Sequence, residues 1–133
     1  MRGSLLAYPE PVLIGLIGGI GLILLGGVVW GVTAFGADGR LPRNGWAGIR
    51  TGATGASDAA WRAGHQAALP ISRTTGVAAL LIGLAMIVDG LIVRNTEGSV
   101  LFWVLFAAGY GGVLITSVIA AVRASCAARA TSP

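Results

Sequence analysis

The sequence predicts an all-α integral membrane protein built as a three-helix bundle. Of its 133 residues, 55% are hydrophobic and 11% are charged, whereas soluble domains carry roughly 25% charged residues. The mean hydropathy is +0.82. Three long apolar segments alternate with polar stretches, so the bilayer is the expected solvent. The length suits one domain, and we assign all of 1–133 to it.

The first predicted span runs from about residue 11 to residue 35 and contains no charged residue. About 20 apolar residues cross the hydrocarbon core as a helix, so this segment spans the membrane with some tilt. Its apolar run is far longer than the roughly 7–15 residues of a signal-peptide core, and Arg2 alone is a thin basic region before it. We therefore expect a retained helix and not a cleaved signal.

The second and third predicted spans cover about residues 75–93 and 99–122. The link between them, "RNTEG", is short, so the two helices are expected to form an antiparallel hairpin. Asp89 lies within the second span near its end. Intramembrane carboxylates are costly and often functional, which makes Asp89 a candidate site. Pairing with Arg94, or snorkelling to the nearby interface, is the structural alternative.

Small residues recur along all three spans, and the chain has 22 glycines. Small residues let helix backbones approach closely in a membrane, so these stripes predict packing faces. Packing within one bundle and packing against a second copy or another protein both remain open. The stripes comprise Gly15, Gly19, Gly27 and Gly31, then Gly76, Ala79, Gly83 and Gly90, then Ala108, Gly112, Thr116 and Ala120.

The arginines predict the orientation in the cell membrane. Positive charge in short loops marks the cytoplasmic side. With three spans, the first loop, 36–74, lies on the same side of the membrane as the C-terminal tail, which we expect to be flexible. These two regions hold seven arginines, and the opposite side holds only Arg2 and Arg94. The N-terminus is therefore predicted to lie outside. A basic balance can indicate nucleic acid, but these charges flank apolar spans, so no nucleic-acid partner is predicted. The seven arginines are Arg40, Arg43, Arg50, Arg62, Arg73, Arg123 and Arg129.

The first loop divides into two parts. Residues 36–56 are rich in Gly and predict turns. Residues 57–69 predict a short helix, with Ser57 as N-cap, Asp58 at the positive end of the dipole, and Pro70 closing it. Such a helix fits the membrane interface, and nearby arginines can reach lipid phosphates. One of its faces carries Asp58, Trp61, His65 and Ala68.

The stretch "NGWAGIRTGATGASDAAWRAGH" resembles the conserved loop of the SdpI family. That family's pattern is an Asn, a Gly-Ile-Arg-Thr run, a second Thr, an acidic helix start, and a Trp with a His four residues later. The resemblance extends through the two following spans and more loosely to the preceding one. The matching residues here are Asn44, Gly48, Ile49, Arg50, Thr51, Thr54, Trp61 and His65.

This resemblance implies a membrane protein without catalysis, acting in immunity or signalling. The family's namesake protects its cell from a secreted toxic peptide and draws a transcriptional repressor to the membrane when toxin is bound. By that resemblance, the matched residues bind a toxic peptide or a cytoplasmic regulator. The alternative function is an accessory or structural subunit of a larger membrane complex.

A purely structural role for the loop residues remains open as well. Trp61 and His65 can dock the loop helix onto the bundle, and Arg50 can be an ordinary positive-inside arginine. Asp58 with His65 could orient a base for a hydroxyl nucleophile, although no dedicated nucleophile stands out. One histidine, the distant Cys126 and a few carboxylates do not make a metal site, so no metal or cofactor is predicted.

Overall fold

Three long helices form the protein in a computed structural model, which describes residues 10–93 and 99–131. Helix α1 covers Glu10–Asp38, α2 covers Asp58–Ile92, and α3 covers Val100–Arg129. Each helix is long and apolar enough to cross a membrane. The predicted all-α, multi-pass architecture is confirmed.

Large apolar side chains point outward from the bundle on every helix. The exposed fraction is 72% for Ile17 and Ile92, 68% for Leu114 and 65% for Val118. Soluble monomers rarely expose contiguous apolar surface of this kind. This apolar exterior matches the hydrocarbon core of a bilayer.

Helices α1 and α2 pack through glycines at their contact. A Cβ atom at Gly83 would lie 2.6 Å from the carbonyl oxygen of Gly19, and one at Gly15 would lie 2.9 Å from the Cα atom of Gly90. The backbones approach too closely for any side chain at these positions. The predicted packing role of these four glycines is confirmed.

Other small residues of the predicted stripes face outward. A Cβ atom at Gly27, Gly31 or Gly112 would meet nothing within 4 Å in the described part of the chain. The packing glycine of α3 is instead Gly109, where a Cβ atom would overlap the side chain of Leu22. The helical spacing of small residues in the sequence identified candidate packing positions. The arrangement of the neighbouring helices decides which of these positions face inward.

Helix α2 is longer than the predicted second span because it begins in the loop. Ser57 caps it as predicted, since its side chain accepts a hydrogen bond from the Ala60 N–H at 3.0 Å. The prediction that Pro70 ends a separate short helix is wrong, because Pro70 lies inside α2. Proline removes one helical N–H, a loss that membrane helices tolerate. The loop between α1 and α2 therefore shrinks to residues 39–57.

The helices also extend beyond the hydrocarbon core. The 35 residues of α2 make a rod of about 52 Å, against a core about 30 Å thick. The first turns of α2 therefore extend beyond the core on the loop side, where Gly64 still packs against Ala124 of α3. Helix α3 likewise continues to Arg129, so the prediction of a flexible tail after residue 122 is wrong for most of that tail.

The central helix is α2, which packs against both α1 and α3. At the end away from the loop, α1 and α3 meet where the Tyr110 hydroxyl donates to the Gly18 carbonyl at 2.9 Å. A second, smaller cluster lies under the loop and contains Ala68, Ala120 and Ala124. The core at the Tyr110 end comprises Leu22, Ala79, Met86, Phe102 and Val113.

Asp89 joins the end of α2 to the start of α3. Its carboxylate accepts a hydrogen bond from the Ser99 hydroxyl at 2.5 Å, and Ser99 caps α3 by accepting from the Phe102 N–H at 2.9 Å. The side chain is largely buried, with the residue 8% exposed. Arg2 and Arg94, and the link 94–98, lie outside the described residues, so pairing between Arg94 and Asp89 stays a prediction.

Candidate functional site

The loop 39–57 folds back onto the first turns of α2, and His65 holds the two together. The His65 ring is fully buried. Its Nε2 accepts the Ile49 N–H at 3.0 Å, and its Nδ1 lies 2.8 Å from the Trp61 carbonyl oxygen. A backbone N–H can only donate, so Nε2 is the acceptor nitrogen and Nδ1–H donates to the carbonyl. This bonding pattern uses both nitrogens of a neutral imidazole inside the protein.

Trp61 also connects the loop to α2. Its ring centroid lies 4.3 Å from that of His65, and its Nε1–H donates to the Leu41 carbonyl at 3.0 Å. Gly48 crosses over both rings with a φ of +101°. A Cβ atom there would lie 2.8 Å from His65 Nε2 and 2.8 Å from Trp61 Cη2. Glycine is required at position 48 by both the backbone angle and the available space.

The two matched threonines close the turn and tie it to α3. Thr54 is fully buried, and its Oγ1 donates to the Ile49 carbonyl at 2.6 Å and accepts the Thr51 N–H at 2.9 Å. Thr51 Oγ1 accepts from the Thr54 N–H at 3.2 Å and from the Ser125 hydroxyl at 3.0 Å. The loop is thereby connected to α3 as well as to α2.

Asn44 shapes the preceding turn. Its Oδ1 accepts the Trp46 N–H at 2.9 Å and the Ala47 N–H at 2.8 Å, and its Nδ2 donates to the Pro42 carbonyl at 2.8 Å. Asparagine side chains commonly organise turns in this way. Asn44 therefore sets the local path of the chain that carries Trp46 outward.

Arg50 and Trp46 form the outward side of the loop. Arg50 is exposed, and its Nη1 donates to the Gly45 carbonyl. A guanidinium has five N–H donors, so a ligand anion can bind to the others. Trp46 is 79% exposed. Sequence reasoning did not select Trp46, although an indole inside the matched stretch of a Gly-rich loop was an available signal.

The arrangement required for hydroxyl-based hydrolysis is not formed. Asp58 accepts from Arg43 Nε at 3.1 Å, and the same arginine donates from Nη1 to the Gly55 carbonyl at 2.8 Å. His65 Nδ1 bonds to a backbone carbonyl and not to Asp58. Within residues 10–93 and 99–131, no group of three His, Cys, Asp or Glu side chains is placed to hold a metal ion.

A groove of about 660 Å³ lies under the loop, between α1 and α3. Residues 46–51 cover its loop end, and Ser72 of α2 lies at its back. The Ser72 residue is 1% exposed, and its hydroxyl has no hydrogen-bond partner within the described residues. Sequence reasoning missed Ser72, because a serine in an apolar helix gives no local signal of a cavity. The walls include Val28, Val32, Ser117, Ala120 and Ala121.

The loop and the helices around it match a known protein family. The chain matches the model of the SdpI/YfhL protein family over residues 40–122, which is more than half of its length. The chain belongs to the SdpI/YfhL family. The matched range includes the eight loop residues of the family pattern and Asp89, so the predicted resemblance is confirmed for this SdpI/YfhL protein. Comparisons with curated proteins and with solved structures gave no significant match.

Proposed function

We propose that this SdpI/YfhL family protein binds a toxic peptide at the membrane and acts in immunity, without catalysis. The proposal rests on the contrast between the buried and the exposed side chains at the loop. Trp61, His65 and Thr54 are buried and bonded inside the protein, whereas Trp46 and Arg50 are exposed beside the groove. The family pattern thus builds a rigid support for an outward-facing surface.

The chemistry of this surface suits a membrane-active peptide. Tryptophan and arginine are enriched among the residues that dominate binding energy at protein interfaces. Trp46 offers apolar contact area, and the Arg50 guanidinium can bind a carboxylate or a backbone carbonyl. A peptide lying at the membrane interface would meet both side chains at once. Because hydrogen bonds hold the loop in place, little ordering cost is expected on binding.

Signalling through a cytoplasmic regulator is the second part of the proposal. Three arginines in the loop 39–57, two in the loop-side part of α2 and two near the end of α3 favour a cytoplasmic position for this end of the bundle. A regulator could then bind the same loop when a ligand is present. Reporters fused at the C-terminus test the orientation. Activity of a cytoplasm-only reporter there is expected, and activity of a reporter that works only outside the cell membrane would reverse the topology.

Deletion of the gene tests the immunity proposal. The deletion strain is challenged with secreted antimicrobial peptides, and we expect increased sensitivity to at least one of them. Wild type should restore tolerance, Arg50→Ala and Trp46→Ala should not, and Arg123→Ala serves as a matched arginine control on α3. All variants must reach the wild-type level in membranes. Unchanged tolerance on deletion would overturn the immunity proposal.

An accessory subunit of a larger membrane complex is the second candidate function. It is favoured by the outer face of α1, where Gly27 and Gly31 have open space beside them. Small residues of this kind let a foreign helix approach closely. This candidate predicts a stoichiometric partner in mild detergent, with or without toxin. For an accessory subunit, Gly27→Leu should release that partner and Arg50→Ala should retain it. For a peptide-binding protein, Arg50→Ala should lose toxin tolerance and Gly27→Leu should keep it.

A further inference from the structure

We infer that the groove under the loop is a binding site for one anionic glycerophospholipid. The phosphate would bind at Arg50, and one acyl chain would lie between α1 and α3. This inference goes beyond the proposed function, because it concerns a resident lipid and needs no toxin. Four features of the groove carry it: its size, its side opening, its charge and its buried hydroxyl.

The size of the groove favours a chain-like ligand. Its volume of about 660 Å³ lies within the range of about 300–1,000 Å³ that is typical of small-molecule sites. A single acyl chain is much narrower than a helix and fits between the walls.

The groove opens sideways, where lipid chains would surround the protein. Val28 on the α1 rim is 60% exposed, and the facing α3 wall is built from Ala120 and Ala121. The two helices meet at Gly18 and Tyr110, at the other end of the bundle. The gap therefore lies on the loop half of the membrane, and its small α3 side chains leave room for a chain entering from the bilayer.

Charge at the mouth of the groove selects an anionic headgroup. Arg50 lines the groove at the loop end and donates one guanidinium N–H to the Gly45 carbonyl. Guanidinium groups bind phosphate through paired N–H donors. A free phosphate would satisfy Arg50 but leave the apolar walls uncovered, whereas a neutral lipid would cover the walls and leave the guanidinium without its anion.

The buried hydroxyl of Ser72 provides a second polar contact, deeper in the groove. Ser72 follows Ala68 by four residues, about 6 Å along the helix, and Ala68 packs in the cluster under Ile49. Burying a hydroxyl without a hydrogen bond is costly, and Ser72 Oγ has no partner in the described part of the chain. A glycerophospholipid carries ester carbonyls just below its phosphate. The Ser72 O–H can donate to one of them while the phosphate binds Arg50.

Native mass spectrometry of the full chain in dodecylmaltoside tests this site. Phosphatidylglycerol and phosphatidylcholine with identical acyl chains are added separately. We expect one phosphatidylglycerol per chain, bound about tenfold more tightly than phosphatidylcholine. Arg50→Ala should abolish this preference, and Arg123→Ala should retain it. An equal loss of preference in both variants would indicate general charge attraction and overturn the site.

A steric variant and a competition test the acyl-chain part. Ala121→Leu should abolish retention of both lipids, and Gly111→Leu, at a position with open space around it, should leave retention unchanged. Millimolar glycerol 3-phosphate should not displace the lipid. Displacement would assign the site to a free anion, and lipid retention in Ala121→Leu would place the chain elsewhere. Either result overturns the proposal.

Photo-crosslinking of the wild-type chain avoids any folding defect in a variant. A phosphatidylglycerol with a diazirine in the acyl chain should crosslink at the residues that line the groove, which are Val28, Val29, Val32, Ser117, Ala120 and Ala121. Labelling centred on the outward Leu114 and Val118 would overturn the groove assignment. The assignment would also be overturned if a peptide or a second copy of the chain occupied the groove and no lipid were retained. Both proposals use Arg50, so two other variants separate them. Ala121→Leu should lose the lipid, whereas Trp46→Ala should keep the lipid and lose toxin tolerance.

Discussion

Replacing Thr54 by valine tests whether one buried hydroxyl holds the loop. The substitution preserves the shape of the side chain but removes Oγ1, which bonds to the Ile49 carbonyl at 2.6 Å and to the Thr51 N–H at 2.9 Å. Thr54 is fully buried, so water cannot replace the lost contacts in the folded loop. Each unsatisfied buried group costs roughly 1–3 kcal/mol, so Thr54→Val should destabilise the folded loop by at least about 2 kcal/mol.

The effect should be local, because the loop can open without unfolding the bundle. A loss of about 2 kcal/mol corresponds to roughly 30-fold faster exchange of the loop amides through local opening. Hydrogen exchange measured by mass spectrometry in detergent, on peptides covering 45–57, gives this rate. The Ile49 amide is the most informative, since it donates to His65 Nε2. Exchange in the glycine-packed region of α2, 76–90, should remain unchanged.

Thr75→Val is the matched control for this measurement. Thr75 is also buried, at 6% exposed, but its hydroxyl donates to the Ile71 carbonyl of its own helix at 2.8 Å. That carbonyl also faces the helical N–H of Thr75, so removing the hydroxyl should cost only a few tenths of a kcal/mol. If Thr54→Val exchanged no faster than Thr75→Val, the inference that the threonine holds the loop would be refuted.

Three further predictions concern Gly48, Asp89 and His65. Gly48→Ala should destabilise the loop by about 1–3 kcal/mol because its φ is +101°, and Gly45→Ala should have no effect; equal exchange rates in the two variants would contradict this. Asp89→Ala should lower the melting temperature in detergent more than Asp89→Asn, which keeps an acceptor for Ser99; equal losses would argue against the hydrogen bond. Burial lowers the pKa of His65 below its ordinary value of 6.5, and protonation would replace its acceptor nitrogen by a donor. Protection of the loop should therefore fall once the pH drops below about 6.5, where the histidine of the open loop gains its proton, and stay flat in His65→Gln. If protection of the wild-type loop amides from hydrogen exchange were unchanged at about pH 5, after correction for intrinsic exchange, this last prediction would be wrong.

The sequence by itself determined the membrane architecture and the residues of the family pattern. Three apolar segments of sufficient length specify three helices, because backbone groups in lipid must bond within their own segment. The N-cap at Ser57 was equally predictable, because capping depends on residues that are neighbours along the chain. Gly19 and Gly83, where an added Cβ atom would come nearest to the backbone of the facing helix, were among the predicted small-residue positions, since helix-spaced small residues mark close approach.

The tertiary structure decided how these elements are used. Pro70 does not end α2, because the helix packs between α1 and α3 along its length and tertiary contacts outweigh one missing N–H. The contacts that bury Trp61 and tie down Thr51 come from Leu41 and Ser125. Such partners lie far away in the sequence, and no local pattern encodes them. For the same reason the groove was invisible in the sequence, since it exists only where α1 and α3 separate beneath the folded loop.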